Sequence, residues 1–132
     1  MQISNAEWQV MKVIWMRDGL TSSQLHAILA AKFAWSPSTT KTLLRRLVTK
    51  GMLVAHKEGN KFHYSALMTE KESICELKDE VQDKTCAMNV KYVVAELIDT
   101  SDFTMADLDM LAAKIEAKRS QAVSEVKCNC MS

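Results

Sequence analysis

Apolar positions recur at helical spacing through most of this chain, and the pattern breaks only once into strict alternation. Trp8, Met11 and Trp15 mark a first helix that starts at a capping box, Ser4 with Glu7, flanked by Ile3 and Trp8 as a hydrophobic staple, and stops at Asp18-Gly19. The same start recurs with Thr21 and Gln24 as capping box and Leu20 and Leu25 as staple, ahead of Leu25, Ile28 and Leu29. A third helix opens at Ser36-Pro37, where Ser36 caps and Pro37 takes the first helical position, whose N–H would be unpaired anyway. After Gly51 the period shortens to two. Leu53 to Lys57 and Lys61 to Leu67 flank Glu58-Gly59-Asn60 as a hairpin, with Leu53, Ala55, Phe62, Tyr64 and Ala66 facing inward.

From Glu70 the helical period returns. Ile74, Leu77, Val81 and Met88 share a face, Val90, Val93, Val94, Leu97 and Ile98 continue it to about Asp99, and a bend is expected near Lys84-Thr85. Thr104 with Asp107 caps a last helix carrying Leu108, Leu111, Ala112 and Ile115. The expected fold is mainly α: a winged helix-turn-helix with a small β-hairpin wing, then a helical region. The boundaries expected are 1–68 for the first domain, 69–121 for the helical region and 122–132 for a flexible tail. Two or three amphipathic helices cannot hide their apolar faces alone, so the second region is read as a dimerisation domain.

Charge sharpens this division. Residues 1–67 carry nine Lys or Arg against Glu7, Asp18 and Glu58, a net +6, while the remainder carries −5. A basic half joined to an acidic half is the signature of a polyanion-binding module attached to one that stays off the polyanion. On the third helix Thr40, Leu43, Leu44 and Leu47 fall on one face; Ser38, Lys41, Thr42, Arg45 and Thr49 project from the other, with Thr39 and Arg46 on its flank. Small hydroxyls in the first turns and cations further along are what a helix needs to enter a major groove. The candidate DNA contacts are Ser38, Thr39, Lys41, Thr42, Arg45, Arg46 and, near the wing tip, Lys61; His56 and His63 are read as surface groups near phosphate.

Four cysteines complete the chemistry. Cys128 and Cys130 are separated by one residue in a short polar tail, so that both sulfurs can bind one ion. Four thiolates suit zinc, and soft sulfur also selects Cu(I); two ligands per chain imply that a closed site draws on a second chain. Cys75 and Cys86 lie about 20° apart on a continuous helix, but three turns separate them by roughly 16 Å, so they are read as buried small apolar residues. No apolar run approaches the ~20 residues of a membrane span and the N-terminus has no signal-peptide pattern, so the expected location is cytoplasmic. No Ser/His/Asp set or Gly-rich phosphate loop is present at useful spacing, and an enzyme is not expected.

The run from Ile3 to Met11 ending at Trp15, then Trp35-Ser36-Pro37 leading into Thr42 to Val48, resembles the penicillinase-repressor (BlaI/MecI-type) family of dimeric transcriptional repressors over the whole chain. With Cys128-Asn129-Cys130 added, the chain looks like the CopY-type, copper-responsive branch. That resemblance implies a homodimer on an inverted-repeat operator ahead of copper-export genes, held there in a Zn(II) form and released by Cu(I), with a copper chaperone as a further partner and no membrane involved. The fuller tail of that branch has two Cys-x-Cys pairs separated by four residues, whereas one pair is present here. The antibiotic-responsive relatives are cleaved at an Asn-Phe bond in the dimerisation region, and no Asn-Phe occurs in this sequence. The rival readings are a repressor of that proteolysed type, with incidental thiols, and a thiol metal buffer.

Overall fold

The computed structural model describes residues 3–131. The elements follow in the order α1 (Asn5–Met16), β1 (Leu20–Thr21), α2 (Ser22–Phe33), α3 (Pro37–Thr49), β2 (Leu53–Glu58), β3 (Lys61–Ala66), α4 (Glu70–Lys84), α5 (Val90–Thr100) and α6 (Met105–Lys118). Single 3₁₀ turns at Ala87–Asn89 and Arg119–Gln121 precede α5 and follow α6. The chain divides into two compact units, the first running to Cys75 and the second beginning at Glu76. No helix among the described residues is long and apolar enough to cross a membrane.

In the first unit local chemistry sets the helix boundaries. Ser4 Oγ accepts from the Glu7 amide at 3.1 Å while Glu7 Oε1 accepts from the Ser4 amide at 2.9 Å, and Thr21 with Gln24 repeats the arrangement at α2. Ser36 caps α3 through the Thr39 amide, with Pro37 in its first turn. At the far end Gly51 adopts φ +77° and two bonds close the helix, Gly51 N to Val48 O and Met52 N to Leu47 O. This is a Schellman ending, which turns the chain back so that Met52 and Leu47 both enter the core.

That core is Val10, Met11 and Ile14 of α1, Leu25 and Leu29 of α2, Leu43, Leu44 and Leu47 of α3, and Met52 and Leu53. Trp15 joins from the side and donates its Nε1 hydrogen to the Met68 carbonyl at 2.9 Å, tying α1 to the chain beyond the wing. One charged group is buried: Glu7 is 2% exposed, and the Nζ of the partly exposed Lys50 sits 2.7 Å from its Oε1. Among the described residues Glu7 Oε2 has no hydrogen-bond partner. Burial pushes the Glu7 carboxyl up, but Lys50 and the capping bonds from Ser4 outweigh it and hold the group below its ordinary 4.5.

The hairpin is antiparallel, with Leu53 opposite Ala66 and Glu58 opposite Lys61, and a third strand completes a sheet of order β1-β3-β2. The alternation expected on β3 holds for Tyr64 and Ala66, which pack on the core, but Phe62 is 46% exposed. Near the hairpin tip it lies outside the core, on an open cleft shared with Lys41, Arg45 and Val48 of α3. His63, expected as a surface group, is instead half-buried, its Nδ1 2.8 Å from the Gly19 carbonyl, which fastens the wing to the turn after α1. The strand Leu20–Thr21 pairs with Tyr64 and His63.

The second unit carries the expected bend, since α4 ends at Lys84 and α5 begins at Val90. The third capping box, Thr104 with Asp107, starts α6. None of residues 76–131 is buried. Leu77, Leu97 and Ile115 are each at least half exposed, so this unit has apolar faces without the core that the first unit has.

Candidate nucleic-acid interface and metal centre

The two faces of α3 separate as expected. Thr40, Leu43, Leu44 and Leu47 are buried, while Ser38, Thr39, Lys41, Arg45 and Arg46 are exposed and Thr42 is half-buried. Thr40 is fully buried, its Oγ1 3.3 Å from His26 Nδ1, so the one polar side chain on the inner face is satisfied. At the start of the helix the hydroxyls of Ser38 and Thr39 each lie 3.0 Å from Ser36 Oγ, a compact donor–acceptor group at a helix N-terminus. Such a terminus also favours an anion through its unpaired N–H groups.

The wing supplies the second wall. A cleft of about 530 Å³ is lined by Lys41, Arg45 and Val48 of α3, Thr21, Ser22 and Ser23 at the start of α2, and Asn60, Lys61 and Phe62 of the hairpin, among others. It therefore brings together Lys41, Arg45 and Lys61, three of the seven residues expected to contact DNA. Ser38, Thr39, Thr42 and Arg46 do not line it. Ser22, Ser23 and Asn60 do, and the sequence reading passed over them; their signal is small polar residues at a helix start and a hairpin tip. Lys57, at the hairpin, places its Nζ 6.0 Å from the Phe62 ring centre.

In the second unit three sulfurs converge. Cys86, Cys128 and Cys130 offer ligand atoms that all lie within 4.8 Å of one another, with Cys86 Sγ 3.6 Å from Cys128 Sγ. The tail is held by more than sulfur: Asn129 Oδ1 accepts from the Ala87 amide at 3.0 Å, and the Cys130 amide donates to Cys128 Sγ at 3.4 Å. Cys86 precedes the 3₁₀ turn Ala87–Asn89 and provides no side-chain cap, so Asn129 satisfies the first amide of that turn from 42 residues away.

Cys86 thus departs from the burial expected of it. It is partly exposed because α4 has already ended at Lys84, and the continuous helix on which it was paired with Cys75 does not exist. Cys75 is exposed on α4 and is not one of the three clustered thiols. The expected pair Cys128 and Cys130 is together, with a third thiol, Cys86, beside it.

The electrostatics follow from crowding three acids. The Met88 amide, with Cys130 and Cys128, holds the Cys86 thiol below its ordinary 9.0, whereas Cys130, hydrogen-bonded to Cys86 and beside Cys128, is pushed up to about 12. One thiolate is accommodated and further deprotonation piles negative charge into a small volume. A bound cation removes that penalty, and binding then displaces protons. An all-sulfur set without carboxylate or imidazole fits a soft or borderline ion and not magnesium or calcium.

The model of the penicillinase repressor family matches residues 3–117. This chain belongs to that family. It is a transcriptional repressor with a DNA-binding domain, and not an enzyme. Among its relatives, an uncharacterized 16.5 kDa protein in the ptsI 3′ region of Latilactobacillus sakei is 34% identical over 98% of this chain and 89% of its own length. The solution structure of the DNA-binding domain of the repressor BlaI is 42% identical, covers 54% of this chain and 87% of its own, and superposes with a TM-score of 0.51. A CopR repressor structure is 46% identical over 52% of this chain and 99% of its own, with a TM-score of 0.45. The match fits the winged-helix fold; of the thiol group it includes Cys86 but not Cys128 or Cys130.

Proposed function

We propose that this penicillinase-family repressor is a copper-responsive homodimer that binds an inverted-repeat operator of copper-export genes. In this reading the DNA-competent form carries Zn(II) on Cys128 and Cys130, and Cu(I) at those sulfurs releases the operator. The observation that carries the metal response is the convergence of three thiols within 4.8 Å in a chain whose other unit is a basic winged helix. In this reading 1–68 reads DNA, 69–121 pairs two chains and 122–132 senses metal. Unburied apolar faces in the second unit support pairing, because a two-fold dimer buries them and sets two recognition helices about 34 Å apart, one turn of DNA.

Ser38, Thr39, Lys41 and Thr42 address base edges and nearby backbone, while Arg45, Arg46 and Lys61 address phosphate. Replacing Thr39, Lys41 or Thr42 by Ala is expected to cost about 1–3 kcal/mol on the operator and little on random DNA; equal losses on both would remove them from base reading. Neutralising Arg45, Arg46 or Lys61 singly is expected to lower the slope of log K against log salt by about 0.9, measured by fluorescence anisotropy, and an unchanged slope would reject a phosphate contact.

The rival is a repressor of the antibiotic-responsive type released by proteolysis, whose Asn-Phe cleavage bond this sequence lacks. Adding Cu(I) to the operator complex separates the two: release by the metal alone supports the present reading, and indifference to copper supports the rival.

A further inference from the structure

We propose that Cys86, Cys128 and Cys130 form a complete three-thiolate site within a single chain, selective for one soft monovalent ion such as Cu(I), whose closure clips the tail onto the junction between α4 and α5. The inference rests on the metal-sensing reading above but changes its stoichiometry and its anchor, because no second chain is needed to finish the site.

Distances carry the first step. Three sulfurs around one ion at a metal–sulfur length of about 2.3 Å stand about 4.0 Å apart, and here all three lie within 4.8 Å, with one pair at 3.6 Å. Shifts of a fraction of an ångström, within the freedom of partly or fully exposed side chains, bring them to ligand spacing. The donor set carries the second step. Sulfur alone selects soft ions, and three sulfurs leave a tetrahedral ion such as Zn(II) one ligand short while completing the shell of a three-coordinate one.

Placement carries the third step. The two sulfurs of the tail meet a sulfur at the break where α4 has ended and the 3₁₀ turn before α5 begins. The Asn129 side chain holds the Ala87 amide, the residue after Cys86, in the same register. A bound ion therefore joins positions 86 and 128, closing 42 residues that include all of α5 and α6. The ordering of those two helices then depends on the state of the sulfurs, which connects the metal to the region read as the pairing surface.

The test uses the full-length protein, handled without oxygen and titrated with Cu(I) against a chromophoric chelator, with X-ray absorption to count sulfur neighbours. The parent and Cys75→Ser are expected to bind one Cu(I) per chain tightly with three sulfurs. Cys86→Ser is expected to lose at least tenfold in affinity and one sulfur. In the parent, one equivalent of Cu(I) is also expected to protect Cys86 from alkylation while Cys75 stays reactive, a readout independent of any variant's folding. If Cys86→Ser keeps parental affinity and sulfur count, or Cys86 alkylates freely in the loaded parent, the three-thiolate site is wrong. If in addition the Cys128→Ser, Cys130→Ser protein binds copper like the parent, the metal-sensing reading falls with it.

Discussion

Replacing Cys128 and Cys130 together by Ser is expected to leave operator binding intact or weakened, through loss of the Zn(II) form, and to abolish its dependence on Cu(I). In the parent, a hundredfold loss of operator affinity on adding Cu(I) corresponds to about 2.7 kcal/mol of differential binding. That coupling requires the metal to favour one arrangement of the second unit over another. The tail pair supplies two of the three converging sulfurs, and Ser oxygen is a poor ligand for a soft ion. With the pair gone, Cys86 alone cannot hold copper against a cellular competitor, and the two arrangements lose their metal bias. Anisotropy titrations of labelled operator, with and without Cu(I), measure this directly. Continued hundredfold release from the double variant would take the tail out of the mechanism.

A second large effect lies in the first unit. Lys50→Met is expected to destabilise it by about 3 kcal/mol at neutral pH, because it strands the buried Glu7 carboxylate without its cation. Glu7 is 2% exposed and Lys50 about a third exposed, so the loss sits at the lower end of the range for a broken buried pair. A drop of that size lowers the thermal midpoint by more than about 10 °C. The pH dependence fixes the cause. In the parent the Glu7 pKa is depressed, so its stabilising contribution is present above the ordinary value of 4.5 and is lost as pH falls through the lower folded value. Without Lys50, burial is opposed only by the Ser4 bonds, so the folded pKa moves up and the variant's deficit shrinks as the group protonates. The deficit is thus greatest near pH 7 and shrinks as pH falls towards and through 4.5, and Glu7→Gln added to Lys50→Met recovers most of it. Thermal unfolding of the three proteins between pH 3 and 7 checks this; a deficit that does not change with pH would assign the loss to packing.

How much of this was legible depends on how far apart the interacting residues are. Three capping boxes, the Ser36-Pro37 start of α3 and the Gly51 ending are decided within a few residues, and each stands where the sequence places it. The buried face of α3 follows from period alone. The Glu7 and Lys50 pair joins residues 43 apart, and β1 is two residues long and exists only by pairing with β3; neither leaves a periodic trace. Phe62 obeys the strand alternation but faces an open cleft, and not the core, so it stays half-exposed.

Cys86 shows the same limit at the site that matters most. Treated as part of one helix with Cys75, it belongs three turns away from any thiol. The bend expected at Lys84-Thr85 was the available signal, since it takes Cys86 off the helix and leaves it at a break, where a distant tail can reach it. Period and spacing identified the tail pair; only the fold brings residue 86 to residues 128 and 130.

The most direct test of the account is a titration of Cu(I) into the zinc-loaded protein bound to operator DNA, following zinc release with a chromophoric indicator and DNA release by anisotropy in the same cuvette. The account predicts that the two signals change together, with operator affinity falling about a hundredfold as the copper sites fill. DNA that stays bound after the zinc has left and the copper has been taken up would contradict it.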